Sequence, residues 1–246
     1  MRSLVAAAIV LIGTTAVEAQ KVTRYTILFQ GKAGGSQTTR ITDGSNFTVE
    51  FSYRDNGRGP DLKEEFSLAA DGTLRRYQGK GTSTFGAAIE ESFERAGDKA
   101  EWKSTSGQGS TTLKGPAIYV PVECSSEAMA RVIRAVALRT GGRLNALPGG
   151  ELNVEKLVDE RVEVDGKKRE VSLYALKGLF EEPLLVWMTR EPELVLFASI
   201  LPGWMQVIEE GWDSVASQLE KRQVEVNDSL LNKLASKLSI GCRNRS

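Results

Sequence analysis

The sequence predicts a mainly β protein of the β-rich α+β class. An antiparallel meander is expected to form a curved sheet or partial barrel, with a packing helix near 125–140 and C-terminal helices near 204–222 and 228–239. Three observations carry this expectation. One segment alternates strictly between apolar and polar residues, tight-turn dipeptides recur between short β-branched runs, and a short amphipathic stretch interrupts the strands.

The alternating segment is Asn46–Tyr53. Phe47, Val49, Phe51 and Tyr53 face one way, and Thr48, Glu50 and Ser52 the other. Successive side chains of a strand point to opposite faces, so this period marks a strand with one face buried. Asp43-Gly44 precedes it and fits a hairpin turn, because both residues tolerate positive φ. Val22–Phe29 is rich in β-branched and aromatic residues. Asp71-Gly72 separates Glu65–Leu68 from Leu74–Gln78, and Gly97-Asp98 separates Ile89–Glu94 from Lys99–Lys103. Asp165-Gly166 does the same between Arg161–Val164 and Glu170–Leu176. A meander of this kind needs a second layer, or closure on itself, to bury one face.

The interrupting helix starts at Ser125 or Ser126, either of which can cap it, and Glu127 suits its positive end. Met129, Val132, Ile133 and Val136 share a face, Arg131, Arg134 and Arg139 lie largely elsewhere, and Gly141-Gly142 ends the helix. Such a stripe is expected to plug the open side of the sheet. After Pro148-Gly149-Gly150 the strands resume. Leu184–Met188 and Leu194–Leu201 are continuous apolar runs that suit strands buried on both faces. From Met205 to Arg222 the spacing of Val207, Ile208, Trp212, Val215 and Leu219 predicts a helix. A last helix is expected from Asn227 or Asp228 through Leu230, Leu231, Leu234 and Leu238.

Residues 1–19 read as a signal peptide. A basic Met1-Arg2 start leads into the apolar Leu4–Val17 run, and Val17-Glu18-Ala19 precedes the expected cut. Residues 20–224 then form a β-rich domain and 225–246 a C-terminal helix with a frayed tail. The expected location is exported, periplasmic or extracellular. No later run is long and apolar enough for a bilayer, so no stable membrane span is expected after leader removal. An oxidising compartment permits a Cys124–Cys242 bridge, although sequence does not set the distance between them. The 32 basic and 32 acidic residues cancel, which gives no electrostatic case for nucleic acid.

The chain contains no histidine and two cysteines. Histidine-based general-base chemistry and a four-ligand zinc centre are thereby excluded. Adjacent carboxylates such as Glu64-Glu65 and Glu90-Glu91 fall on opposite faces of a strand and make poor acid/base dyads. There is no phosphate-binding loop, nucleophile elbow or calcium loop. No catalytic residue, metal or cofactor is therefore expected. The charged, glycine-rich link Tyr53–Asp61 stands out as a candidate binding loop, with Arg54, Asp55, Asn56, Arg58 and Asp61 as its candidate residues. A curved sheet covered by a helix also suits a periplasmic binding or carrier protein for a small apolar ligand. Phe47, Phe51, Trp187 and Trp204 are the lining candidates for that reading.

Several segments occur in a telling order: Tyr53–Asp61, Trp102-Lys-Ser, Gly115-Pro-Ala-Ile-Tyr-Val-Pro121, Leu147-Pro-Gly-Gly150, Tyr174-Ala-Leu-Lys-Gly-Leu179, Val186-Trp187 and Gly203–Trp212. Together they resemble the N-terminal β-rich region of exported bacterial amidohydrolases of the imidazolonepropionase-like group, over roughly Val22–Leu238. The resemblance implies a non-catalytic accessory module, part of a truncated amidohydrolase-like protein, acting with a hydrolase domain in cis or in trans. That family's His-x-His metal ligands have no counterpart here, so no catalytic position carries over. The resemblance further implies a domain-docking surface at Trp204, Trp212, Leu231 and Leu234.

Overall fold

The computed structural model describes residues 20–191 and 193–243, with side chains as far as residue 232. The expected leader, residues 1–19, lies outside the described residues. Fifteen strands form one continuous sheet. The first eight run as antiparallel hairpins: β1 (Lys21–Phe29), β2 (Lys32–Thr42), β3 (Asn46–Tyr53), β4 (Asp61–Leu68), β5 (Leu74–Thr82), β6 (Ala88–Ala96), β7 (Lys99–Ser104) and β8 (Gly107–Thr112). β9 (Ala117–Tyr119) leads into α1 (Ser126–Ala137), which crosses to the parallel β10 (Arg143–Leu147). A second antiparallel series follows: β11 (Glu151–Val164), β12 (Lys167–Lys177), β13 (Leu184–Thr189), β14 (Leu196–Leu201) and β15 (Met205–Glu209). The last described element is α2 (Ala216–Arg243).

β15 returns to pair with β1, Tyr25 lying opposite Glu209. The two sheet edges are therefore β8 and β9, neighbours in sequence. The topology is a ring of strands open at a single seam. Local chemistry sets the corners. At the β2–β3 turn Asp43 and Gly44 take φ of 50° and 72°, the left-handed geometry that their small or polar side chains were expected to permit.

α1 occupies the space inside the curve. Ser125 caps it by accepting the Ala128 N–H at 3.2 Å. Ala128, Ala130, Val132, Ile133, Ala135 and Val136 are all buried, so the helix is enclosed more completely than a single stripe requires. One apolar cluster joins α1 to Tyr25, Ile27, Phe51 and Leu62 in the first half of the sheet, and to Leu152, Val154, Leu176, Val186 and Val207 in the second. On the other face of the second half, Leu173, Trp187, Phe197 and Ile208 pack with Trp212, Val215 and Leu219. This double cover explains why β13 and β14 read as continuous apolar runs.

Two sequence expectations change in detail. Met205–Glu209 is a strand, and helix begins only at Ala216 after a short turn. Pairing with β1 and β14 overrides the local helical spacing of Val207, Ile208 and Trp212. The two expected C-terminal helices are one, because α2 runs unbroken through residues 224 and 225. Among the described residues no helix is long and apolar enough to cross a membrane.

Candidate functional site

In an antiparallel meander successive turns alternate between two rims. The β1–β2, β3–β4, β5–β6 and β14–β15 connections share one rim. The start of β1 shares the opposite rim with the β11–β12 and β13–β14 connections.

The sequence-nominated loop forms a tight protrusion at the first rim. Asp55 and Arg58 exchange backbone hydrogen bonds of 2.7 and 3.0 Å around Asn56-Gly57, whose φ values of 50° and 77° close the turn. Arg54 staples the base of the loop, donating to the Tyr53 carbonyl at 2.6 Å and to Asp61 Oδ2 at 2.5 Å. Asp61 also accepts from Ser52 Oγ at 2.6 Å. The Arg54 and Ser52 hydrogen bonds hold the Asp61 carboxyl below its ordinary value. Arg54 and Asp61 thus shape the loop, while Asp55, Asn56 and Arg58 face a cleft of about 380 Å³ shared with Tyr53, Thr84 and Trp204. Trp204 Nε1 donates to Asp55 Oδ2 at 3.2 Å. Its ring lies 6.1 Å from Phe29 and 6.3 Å from Tyr53, centroid to centroid. The sequence placed the loop and Trp204 in separate sites, and the fold joins them.

The expected docking surface is not one surface. Trp212 is 6% exposed and packs edge-on against Phe197 at 5.5 Å, with the Arg169 guanidinium 4.9 Å above its ring. It is a core residue because it lies where α2 is joined to the outer face of the second half-sheet. Trp204 and Leu231 are exposed. Leu234 belongs to α2, and its side chain lies outside the described residues, as does that of Cys242. The four lining candidates also separate. Phe47, Phe51 and Trp187 are buried in three different clusters, and Trp204 stands at the rim.

A second site, at the opposite rim, was not foreseen. It is a polar well of about 380 Å³ between α1 and the sheet. Glu127 and Arg131, one helical turn apart on α1, form an ion pair there: Arg131 Nε donates to Glu127 Oε1 at 2.7 Å and Nη2 approaches it to 2.5 Å. Both side chains are almost wholly buried. Tyr25 donates its hydroxyl to the Leu196 carbonyl at 3.0 Å, and burial, with the Glu127 carboxylate adding, raises its pKa well above the ordinary value. It therefore stays protonated. Thr39 lines the same well at 1% exposure, and its hydroxyl has no partner. Arg169 pairs with Glu209 at 2.5 Å and Arg190 with Glu170, and with Lys21 and Glu193 also present the four cationic and four anionic side chains of the wall balance in number. The sequence signal available was the Glu127–Arg131 spacing. Opposite charges at i and i+4 on a helix that turns out to be buried along most of its faces mark a buried pair.

Two more buried carboxylates fasten the segment leading into α1. Glu64 Oε1 accepts from the Tyr77 hydroxyl at 2.8 Å and the Ser125 N–H at 2.9 Å, while its Oε2 is buried without a partner. Burial pushes the Glu64 carboxyl up to about 7. Glu91 accepts from the Tyr119 hydroxyl at 2.6 Å and the Val122 N–H at 2.9 Å. Cys124 lies beside both; burial, then the carboxylates, raise its thiol, which stays protonated and a poor nucleophile.

Fold and sites together define a class: an antiparallel β ring, open at one seam, filled by a helix, with a cleft at one rim and a polar well at the other. No family model matches the chain, and no curated protein matches it. It is similar to a beta-barrel-like protein of domain of unknown function DUF1849 from Brucella abortus, with a TM-score of 0.44 and 12% identity, covering 76% of this chain and 94% of that one. It is also similar to a DUF1089 family protein from Pseudomonas aeruginosa, with a TM-score of 0.38 and 14% identity, covering 68% of this chain and 90% of that one.

Proposed function

We propose that this chain is an exported, non-catalytic binding module that holds a small polar solute in the well between α1 and the second rim. The observation that carries the reading is the well's wall, where the buried Glu127–Arg131 pair stands beside Thr39, whose buried hydroxyl has no hydrogen-bond partner. A buried, unsatisfied hydroxyl costs about 1–3 kcal/mol, and rotation of Thr39 about χ1 toward a ligand polar group would recover much of it. The well also offers the Thr189 hydroxyl and the far side of the Glu127–Arg131 pair. Because its wall charges are matched, a ligand of large net charge would bury an uncompensated charge, so an overall neutral zwitterion or polyol fits best. Export is supported by the grammar of residues 1–19.

The test is a thermal-shift and calorimetric titration of the leaderless protein with free amino acids, small polyols and organic acids. Binding of a neutral solute should raise Tm, and Thr39→Val should weaken that binding about tenfold while leaving the fold intact. Absence of binding by every neutral solute at millimolar concentration sinks the reading.

A second reading, the accessory module of a hydrolase acting in cis or in trans, is favoured by the exposure of Trp204, Leu231 and Phe180 together with the motif order described above. Analytical ultracentrifugation with an amidohydrolase barrel domain of the same group tests it. A stable complex supports it, and free sedimentation of both components removes it.

A further inference from the structure

We infer that the first-rim cleft is a carbohydrate-stacking site, with the Trp204 indole as the platform for a neutral sugar ring. It is separate from the polar well, at the other end of the ring, and stands whether or not the well binds anything. The first support is an exposed aromatic that is held still. Trp204 is 45% exposed, yet its edge is fixed by the Asp55 hydrogen bond and its ring is flanked by Phe29 and Tyr53. An exposed indole that merely filled surface would have no reason to be clamped on three sides. A rigid platform loses little entropy when a ligand lands on it.

The second support is the polar ring around that platform. Asp55, Asn56, Arg58 and Thr84 converge on the cleft, and they bring planar amide, carboxylate and guanidinium groups beside a hydroxyl. A sugar presents apolar C–H bonds on one face and hydroxyls around its edge. It therefore matches an aromatic floor with alternating donors and acceptors at the sides. The cleft mixes one carboxylate with one guanidinium, which disfavours a strongly anionic or cationic ligand. Its volume of about 380 Å³ lies at the small end of ligand pockets, the scale of one or two sugar rings rather than a protein segment.

The third support is the construction of the loop. Arg54 and Asp61 spend their charges on a staple that fixes the base of the protrusion, and the Asn56-Gly57 turn fixes its tip. The sequence supplies a charged, glycine-rich loop, and the fold has Asp55 hold the indole while Asn56 and Arg58 stand in the cleft to meet a ligand. That division of labour is the one a binding loop needs: shaping residues outside, contacting residues inside.

The experiment follows tryptophan emission of the leaderless protein during titration with cellotriose, maltotriose and tri-N-acetylchitotriose. A saturable change with at least one of them is expected. Trp204→Ala should lose at least about tenfold in affinity, the scale of one aromatic stacking contact, and Trp204→Phe should recover part of it. Thr39→Val, at the other rim, should leave sugar affinity unchanged, so failure of the well reading and failure of this one are distinguishable. Far-UV circular dichroism of each variant reports its fold. No response to any of the three sugars, unchanged affinity in a folded Trp204→Ala, or loss of sugar binding in Thr39→Val overturns the inference.

Discussion

Glu64 shows how a residue's neighbours set its chemistry. It stands on β4 between Leu62 and Phe66, all three buried on one face, while its sequence neighbour Glu65 is exposed. Its carboxyl rises from 4.5 to about 7, chiefly through burial, against the opposing pull of the Ser125 and Tyr77 hydrogen bonds. The folded state then binds a proton that the unfolded state has released between those two values. Folding stability contributed by this group is complete below about 4.5, falls as pH rises to about 7, and is flat above that, the full change being roughly 3 kcal/mol. Glu64→Gln keeps an acceptor for Tyr77 and Ser125 and removes the titration. Urea unfolding across this range should show the downward slope in the parent protein and its loss in the variant; equal slopes would refute the assignment. The sequence held this signal in its alternation, because Leu62, Glu64 and Phe66 share a parity. Adjacency puts Glu64 and Glu65 on opposite faces, and the parity shared with Leu62 and Phe66 makes Glu64 the buried one. Thr39 offered less, since it lies in a polar stretch of β2 and the well around it is assembled with Glu127, Arg131 and Thr189 from distant parts of the sequence.

Among the elements, α1 was legible and β15 was not. The cap, the acidic first turn and the terminating glycines of α1 are local features, and local features survive in a single sequence. The strand β15 contains Val207 and Ile208, which face opposite layers and pack in different clusters. Their adjacency fits a helix face equally well, and only the pairing with Tyr25–Phe29 decides between the two. The α1 anchor has a measurable cost. Ser125→Ala should lower stability by about 1 kcal/mol through loss of the cap. Ile133→Ala, at a fully buried position touching the main cluster, should cost about 2–5 kcal/mol. Chemical denaturation of each variant checks both. A smaller loss from Ile133→Ala than from Ser125→Ala would mean that α1 is not the central packing element described here.

At the scale of the whole molecule, the meander was visible in the turn dipeptides, but the junction of its two halves was not. Nothing local announces that the first strand pairs with the fifteenth, since that contact spans almost the whole described chain. That junction nonetheless dictates how the protein should unfold. The two half-sheets meet directly at β1 and β15, and α1 packs against both within one apolar cluster. Neither half can release the helix without exposing the other's inner face to water. The chain is larger than most two-state domains, yet this shared filling should make it melt as one unit. Tryptophan emission reports chiefly on the second half, where Trp187 and Trp212 are buried, and far-UV circular dichroism reports on all strands. Their denaturation midpoints should coincide, and Ile133→Ala should lower both together. Separate midpoints would show that β2–β8 fold as an independent sheet, and the enclosed helix would then be a lining of the second half rather than the joint between the two.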